Sequence, residues 1–381
     1  MPLHDRPADD TPRVAFALPG LGRVRRGAEA AFLRIARGLR DEHGLAVELF
    51  GGGEDFPAGL TGHRVRCVSR KRFERFPSVP AFRSDCHYEE MTFALGLATC
   101  REFRASRFDA VVTCSYPHIN WLLQRGRWGR VPHLFVTQNG DWMCHAGRRE
   151  YRYFRASHVA CLSPEQLDRV APHHPATLIP NGVDAGRFTP RRRVGSESPH
   201  VLMVGALIDS KNVLDGIEAV AAVPNATLTV VGDGPLRGDV RNRLADRLRR
   251  RSAFHALLPP AETARLFESA DVFLHMSRDE PFGLVYLEAM AAGCPVVAHN
   301  GPTQRWLCGD AAALCETRST IDVAKAIRLA ASPGVAGRLS EAGPARVADG
   351  WTWDRQIDCY ADLLRDMTHA AAPRRLQGVT A

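Results

Sequence analysis

Lysine is nearly missing from this chain. Lys71, Lys211 and Lys325 are the only lysines among 50 basic residues, and the rest are arginines. A lysine placed in a loop therefore stands out against its background. Long apolar runs are missing too: no stretch approaches the roughly 18 uninterrupted apolar residues that a bilayer span requires. The start, MPLHDRPADD, is polar and acidic and has no apolar core of a secretory signal, which predicts a cytoplasmic protein. The ten cysteines include no C-x-x-C pair. They predict small buried thiols in a reducing compartment, since zinc ligands come in close pairs and a chain this long needs no disulfide staples. There is no D-x-D and no carboxylate cluster at metal-ligand spacing, so no metal is expected.

Two further absences narrow the class. The net charge of +8 suits an anionic partner. However, the densest cationic runs, 191–193 and RNRLADRLRRR (241–251), have almost no aromatic residues interleaved, which argues against nucleic acid. The first glycine loop, LPGLGRVRRGAEAAF (18–32), is not G-x-G-x-x-G. No acidic ribose reader is convincingly placed after the second strand, which disfavours a nicotinamide enzyme.

What remains is a regular alternation. With 381 residues, 45% of them hydrophobic, the chain can bury two cores of ordinary size. Strands are predicted at VAFAL (14–18), VELF (47–50), RVRCV (64–68), AVVT (110–113), LFVT (134–137) and VACL (159–162). Further strands are predicted at VLMV (201–204), TLTVV (227–231), VFLH (272–275) and PVVA (295–298). Several are apolar at nearly every position, as parallel strands covered on both faces are. Helical spacing fills the intervals, as in EAAFLRIARGLRDE (29–42). The polar segment PRRRVGSESPH (190–200) separates two halves. The expected fold is α/β: two Rossmann-like doubly wound domains facing across a cleft, with ligands at the carboxyl ends of the strands.

The stretch SRDEPFGLVYLEAMAAGCPVVAHNG (277–301) concentrates the chemistry. Pro281 and Gly283 make a turn, and good helix formers follow from Leu284 to Ala292. The turn offers the backbone N–H groups of Phe282, Gly283 and Leu284 at a helix start, a natural anion site. Glu280 lies just before that start and Glu288 about one turn inside it, so two carboxylates flank it and can accept hydroxyl hydrogen bonds.

The pattern E-P-F-G-L-x-x-x-E-A-M-A-x-G-x-P-V-V-A resembles the E-x7-E segment of retaining glycosyltransferases of the two-Rossmann-domain (GT-B) type, family 4. The resemblance implies a nucleoside diphosphate sugar as donor substrate and no separate cofactor. Glu280 would hold donor-sugar hydroxyls and Glu288 the nucleotide ribose. PNGVD (180–184) resembles the entry to the family's second domain. VGALIDSKN (204–212) resembles the loop whose lysine, here Lys211, holds the diphosphate. VGDGP (231–235), with Gly232, resembles the turn near the nucleotide, and Gly20 and Gly22 resemble the first loop that approaches the phosphates. The tail 351–364 resembles a helix that returns to the first domain. The implied organisation is 1–190 for an acceptor-binding domain, 191–350 for a donor-binding domain and 351–381 for the returning helix.

Two positions depart from the family pattern. Ala206 stands where a diphosphate-clamping arginine is usual, so Arg25 or Arg26 is expected to supply that charge. Asn139 stands where a histidine often touches the donor sugar. His118, in TCSYPHINW (113–121), is a further candidate catalytic residue. Glu29, the loop SDCHYEE (84–90), Asp141 and Trp142 are acceptor-side candidates. The expected acceptor is a small molecule, such as an antibiotic intermediate. RVRCVSRKRFER (64–75) leaves contact with anionic lipid open. The alternatives are an epimerase or hydrolase of nucleotide sugars on the same fold, or a non-catalytic nucleotide- or nucleic-acid-binding protein.

Overall fold

A computed structural model of the chain describes residues 11–24, 27–77, 79, 82, 84–103, 107–114, 117–123, 131–138 and 154–371. The chain divides into two compact units. One is Met1–Pro180 together with Gln356–Ala381, the other Asn181–Arg355.

The first unit runs β1 (Arg13–Ala17), α1 (Gly27–Asp41), β2 (Ala46–Gly51), β3 (Thr61–Arg64), α2 (Asp85–Thr99), β4 (Ala110–Cys114), α3 (His118–Leu123), β5 (His133–Val136), β6 (His158–Cys161), α4 (Pro164–Val170) and β7 (Ala176–Leu178). Its seven parallel strands lie in the order β3-β2-β1-β4-β5-β6-β7. The central strands are buried on both faces, which is why β4 reads AVVTC with no alternation. Helix α1 covers β1 because Ala28, Phe32, Ile35 and Leu39 recur on one face, and the Phe32 ring meets Phe16 edge-on at 5.1 Å. Burying each large apolar side chain there contributes about 1.5–3 kcal/mol.

The second unit runs β8 (His200–Val204), α5 (Val213–Ala221), β9 (Thr227–Val231), α6 (Arg237–Arg247), β10 (Ser252–His255), α7 (Pro260–Ser269), β11 (Val272–His275), α8 (Leu284–Ala291), β12 (Val296–His299), α9 (Pro302–Cys308), β13 (Ala312–Cys315), α10 (Thr320–Ala330) and α11 (Val335–Ala348). Six parallel strands take the order β10-β9-β8-β11-β12-β13. The last helix, α12 (Trp353–Ala371), packs from Gln356 onward within the first unit. Its fit there is close, since a Cβ on Gly38 of α1 would stand 2.3 Å from Ile357 Cδ1. The α/β expectation holds in both units.

One strand is corrected. The apolar run at 64–68 is not the third strand; the polar TGHR before it pairs with β2, from Glu48↔Thr61 to Gly51↔Arg64. Local contacts override the apolar pattern at this edge. His63 bonds Glu48 at 2.8 Å and stacks on Phe50 at 4.8 Å, while Gly62 makes room for the Phe56 ring. Three strands the sequence reading does not contain, β7, β10 and β13, are short outer strands reading ATL, SAFH and AALC. The arginine runs are largely engaged within the fold. Arg243 and Arg247 both hold Glu218, at 2.6 and 2.7 Å, and Arg193 donates to the Phe267 and Glu268 carbonyls.

Among the described residues no helix is long and apolar enough to cross a membrane.

Candidate functional site

The loops after β8, β9 and β11 meet at the carboxyl edge of the second sheet. After β8 the chain passes Gly205 and the exposed Ala206, then turns through Asp209–Lys211. It reaches Asn212 in the left-handed region (φ 48°), where α5 begins. The loop after β9 lies against it. Leu207 N–H donates to Asp233 O, Leu236 N–H donates to Leu207 O, and a Cβ on Gly232 would stand 2.0 Å from Gly205 O. Gly232 is therefore demanded by packing alone. The loop after β11 reaches the same place through Ser277, and Asn212 Nδ2 donates to Met276 O at 3.4 Å.

This convergence brings Lys211 onto Glu280, 69 residues away in sequence. Nζ lies 2.5 Å from Oε2, with only 21% and 11% of the two side chains exposed. A small cavity beside them is lined by Gly205, Leu207, Lys211, Val231, His275 and Met276. Arg278, which sequence reasoning passed over, donates to Asn212 Oδ1 at 3.2 Å and adds a cation near Lys211. Its signal was its place two residues before Glu280 in SRDEPFG.

Gly283 caps α8 at φ 85°, a left-handed conformation that favours glycine. A Cβ there would also stand 2.5 Å from the Tyr286 ring and 3.0 Å from Glu280 Cγ. Phe282 turns its ring inward against Trp306 and Trp351, with centroids 6.2 and 6.1 Å away, so its backbone is what the site can use. Leu284 opens α8, whose first N–H groups have no intrahelical acceptor.

Glu288 sits on α8 among different charges. Burial pushes its carboxyl up to about 7, with Arg187 drawing it down and Asp184 raising it. Burial likewise pushes His275 down to about 4, Glu280 opposing and Lys211 assisting. His275 was not among the sequence candidates, because a histidine ending an apolar strand carries no motif.

The first unit places its candidates differently. Gly22 is left-handed (φ 70°), and a Cβ there would stand 2.9 Å from Gly53 C. Glu29 is buried against Gly20, and its Oε2 has no partner among the described residues. The 84–90 segment is not a loop but the start of α2, with Ser84 at the N-cap position and Asp85 in the first turn, where the helix field favours an acid. Within it Glu89 takes Arg23 at 2.5 Å and Arg70 at 3.1 Å. Burial beside Glu89 holds the Glu90 carboxyl well above its usual range, with Arg70 opposing. His118 is a buried core residue, not a solvent-facing one. Its Nε2 lies 3.2 Å from His87 Nδ1, its ring stacks on Phe82, and burial together with His87 lowers it to about 3. Arg25, Arg26, Asn139, Asp141 and Trp142 lie outside the described residues. Among the described residues no three metal-ligating side chains converge.

Comparison with known proteins agrees with this division. Residues 25–187 match the model "Glycosyltransferase Family 4" and residues 188–343 match "Glycosyl transferases group 1". The chain is 33% identical over 196 residues to glycogen synthase of Mycobacterium tuberculosis, covering 49% of this chain and 47% of that protein. It thus spans about half the length of that relative. It is 27% identical over 309 residues to 2-deoxystreptamine glucosyltransferase of Streptomyces kanamyceticus, covering 75% of each. Among solved structures, sucrose-phosphate synthase from Thermosynechococcus elongatus superposes with a TM-score of 0.74 at 19% identity, over 94% of this chain and 100% of that one. Anabaena HepE in complex with UDP and glucose gives 0.71 at 16% identity, over 93% and 99%.

Proposed function

We propose that this chain, which belongs to family 4 of the GT-B glycosyltransferases, transfers a sugar from a nucleoside diphosphate donor to a small-molecule acceptor with retention of the anomeric configuration. The observation that carries the reading is the Lys211–Glu280 pair at the strand ends, 2.5 Å apart beside the left-handed start of α8. In the free protein each charge neutralises the other. A donor diphosphate gives the ammonium a better partner, worth roughly 1.5–3 kcal/mol for a charged hydrogen bond. Glu280 is then released to accept hydroxyl hydrogen bonds from the sugar attached to that diphosphate.

The helix start at Gly283–Leu284 adds donors and a positive field for the second phosphate. Glu288 is assigned to the ribose hydroxyls. Held at about 7, it is half protonated at neutral pH, and hydroxyl donors favour its ionised form. The acceptor hydroxyl attacks on the face from which the nucleoside diphosphate leaves, and the leaving phosphate takes the proton. The protein positions the reactants and stabilises charge on the departing phosphate. Acceptor recognition is assigned to the first unit, to Glu29 and the start of α2. The likeness to a 2-deoxystreptamine glucosyltransferase over three quarters of each chain supports a polar natural-product acceptor.

A thermal-shift panel of UDP, GDP, UDP-glucose, UDP-galactose, UDP-N-acetylglucosamine and GDP-mannose tests the reading. One sugar nucleotide at 100 times its Kd should stabilise the native chain by roughly 2.7 kcal/mol. Lys211→Ala should abolish the response. A flat panel for the native chain would sink the proposal. Rapid conversion of the donor without any acceptor would replace it with an epimerase or hydrolase.

A further inference from the structure

Behind Glu280 the core holds polar groups that packing alone does not explain. Tyr286, on the buried face of α8, is fully buried, where phenylalanine would fill the same space. His275 and Gln304 are also withdrawn, at 6% and 1% exposure. Burying such groups costs free energy unless each finds its partner.

They find one another in sequence. Gln304 Nε2 donates to Ser277 O at 3.2 Å and to Tyr286 Oη at 3.5 Å. Tyr286 Oη lies 3.0 Å from His275 Nδ1. With the Gln304 amide donating to Oη, the arrangement that satisfies every group has the Tyr286 O–H donate to Nδ1. A neutral imidazole that accepts at Nδ1 carries its hydrogen on Nε2. That atom lies 3.6 Å from Glu280 Oε2, the oxygen that Lys211 Nζ holds at 2.5 Å. The depressed basicity of His275 agrees with a neutral ring.

We propose that Gln304, Tyr286 and His275 form a positioning relay that locks the Nε2–H tautomer of His275 and steers the Glu280 carboxylate onto the donor sugar once Lys211 turns to the diphosphate. This rests on Glu280 being the sugar contact. The relay removes the need for Lys211 to do two tasks. The imidazole N–H closes on Glu280 as the ammonium leaves it, and the carboxylate keeps its aim. Gly283 is part of the same fit, since a side chain there would strike both Tyr286 and Glu280. The three relay residues are positioning residues; Glu280 alone touches the sugar.

The test has an arm that needs no donor. Long-range 15N–1H spectra of histidine-labelled protein, with His275 assigned through His275→Gln, should show the Nε2–H form in the native chain and lose its dominance in Tyr286→Phe. A native Nδ1–H form overturns the proposal. In binding, Tyr286→Phe and Gln304→Met should leave the affinity for UDP and GDP within twofold. For whichever of UDP-glucose and GDP-mannose the native chain binds, each should weaken affinity about five- to tenfold, the loss of one buried hydrogen bond. The double variant should be no weaker than the poorer single one, because both act through one imidazole. Unchanged sugar-nucleotide affinity in both single variants, or fully multiplicative losses, would refute the relay. Should Tyr286→Phe not fold, Gln304→Met and the native spectrum still decide. Failure of the underlying reading has a different sign: Glu280→Gln would then bind sugar nucleotides as the native chain does, or the native chain would bind neither.

Discussion

The two units share a plan of parallel strands under helices, yet they handle charge in different ways. In the second unit one lysine and one glutamate pair at 2.5 Å with nearby helix N–H groups, a compact set that an incoming anion can open. In the first unit Glu89 is held by two arginines, Arg23 and Arg70, while the neighbouring Glu90 and the more distant Glu29 each keep a buried oxygen without a partner among the described residues. A 1:1 pair can exchange partners at little cost. A carboxylate gripped by two guanidiniums is a fixed structural node, and unpartnered carboxyls are groups that a ligand would satisfy. The second unit thus presents an opposed ion pair at its strand ends, and the first unit buried carboxyl oxygens without a partner among the described residues.

The sharpest way to break this contrast is by substitution. Lys211→Ala should lower kcat/KM on the order of 10²–10³-fold, as loss of a charge-stabilising donor does. Glu90→Gln in the first unit should leave UDP and GDP affinity within twofold, and steady-state kinetics with isothermal titration checks both. If Glu90→Gln weakens nucleotide binding as Lys211→Ala does, the division of labour is wrong.

Acid should separate the units next. His118 and His133, both lowered to about 3 by burial, stay neutral in the folded first unit but take a proton when it unfolds. Their contribution is whole above pH 6.5 and is lost as pH falls from there toward about 3, by up to about 1.4 kcal/mol per pH unit for each ring. The second unit has lowered rings of its own, His275 at about 4 and His200, but Glu288 offsets them there, so hydrogen exchange from pH 7 to 4.5 should deprotect β4 and β5 before β8 and β9. The reverse order would contradict the assignment.

The second unit carries an opposite dependence at Glu288. Its carboxyl is raised to about 7, so between about 4.5 and 7 the folded state binds the extra proton and stability falls as pH rises. Glu288→Gln should remove that slope and stabilise the protein at pH 8 by about 2–3 kcal/mol, with no gain at pH 4. Urea unfolding at the two pH values reads it directly.

Glycine substitutions give a smaller effect. Gly283→Ala and Gly22→Ala each force a side chain into left-handed backbone and a close contact, costing about 1–2 kcal/mol. Only the first should also reduce sugar-nucleotide affinity, because its Cβ meets Glu280. Excess chelator should have the least effect of all. Turnover is expected to persist, and a loss restored by Mg²⁺ would show that the cations named here do not suffice.

Much of the fold was legible in advance because a parallel strand buried on both faces leaves a nearly continuous apolar run, as in AVV of β4, VLMV of β8 and VFL of β11. The outer strands β7, β10 and β13 were not, since an edge strand takes its conformation from its neighbour's hydrogen bonds more than from its own residues. At the site, 277–301 and the isolated Lys211 stood out in the sequence as short-range patterns. Arg278 was visible only through its place in that stretch, and His275 had no pattern of its own.

The amino-acid order alone determined the alternation of strands and helices, the glycine at the start of α8 and the spacing of Glu280 and Glu288. Those follow from local backbone preferences and from the apolar period. Only tertiary structure decided which charges meet. Lys211 meets Glu280 where loops distant in sequence converge, Glu288 feels the charge of Arg187, and Tyr286 on α8 reaches His275 at the end of β11. Burial there, absent from any local window, shifts the histidine and the carboxyl in opposite directions. A side chain's charge state depends on the water it loses and the partners it gains, and both are set by the folded chain as a whole.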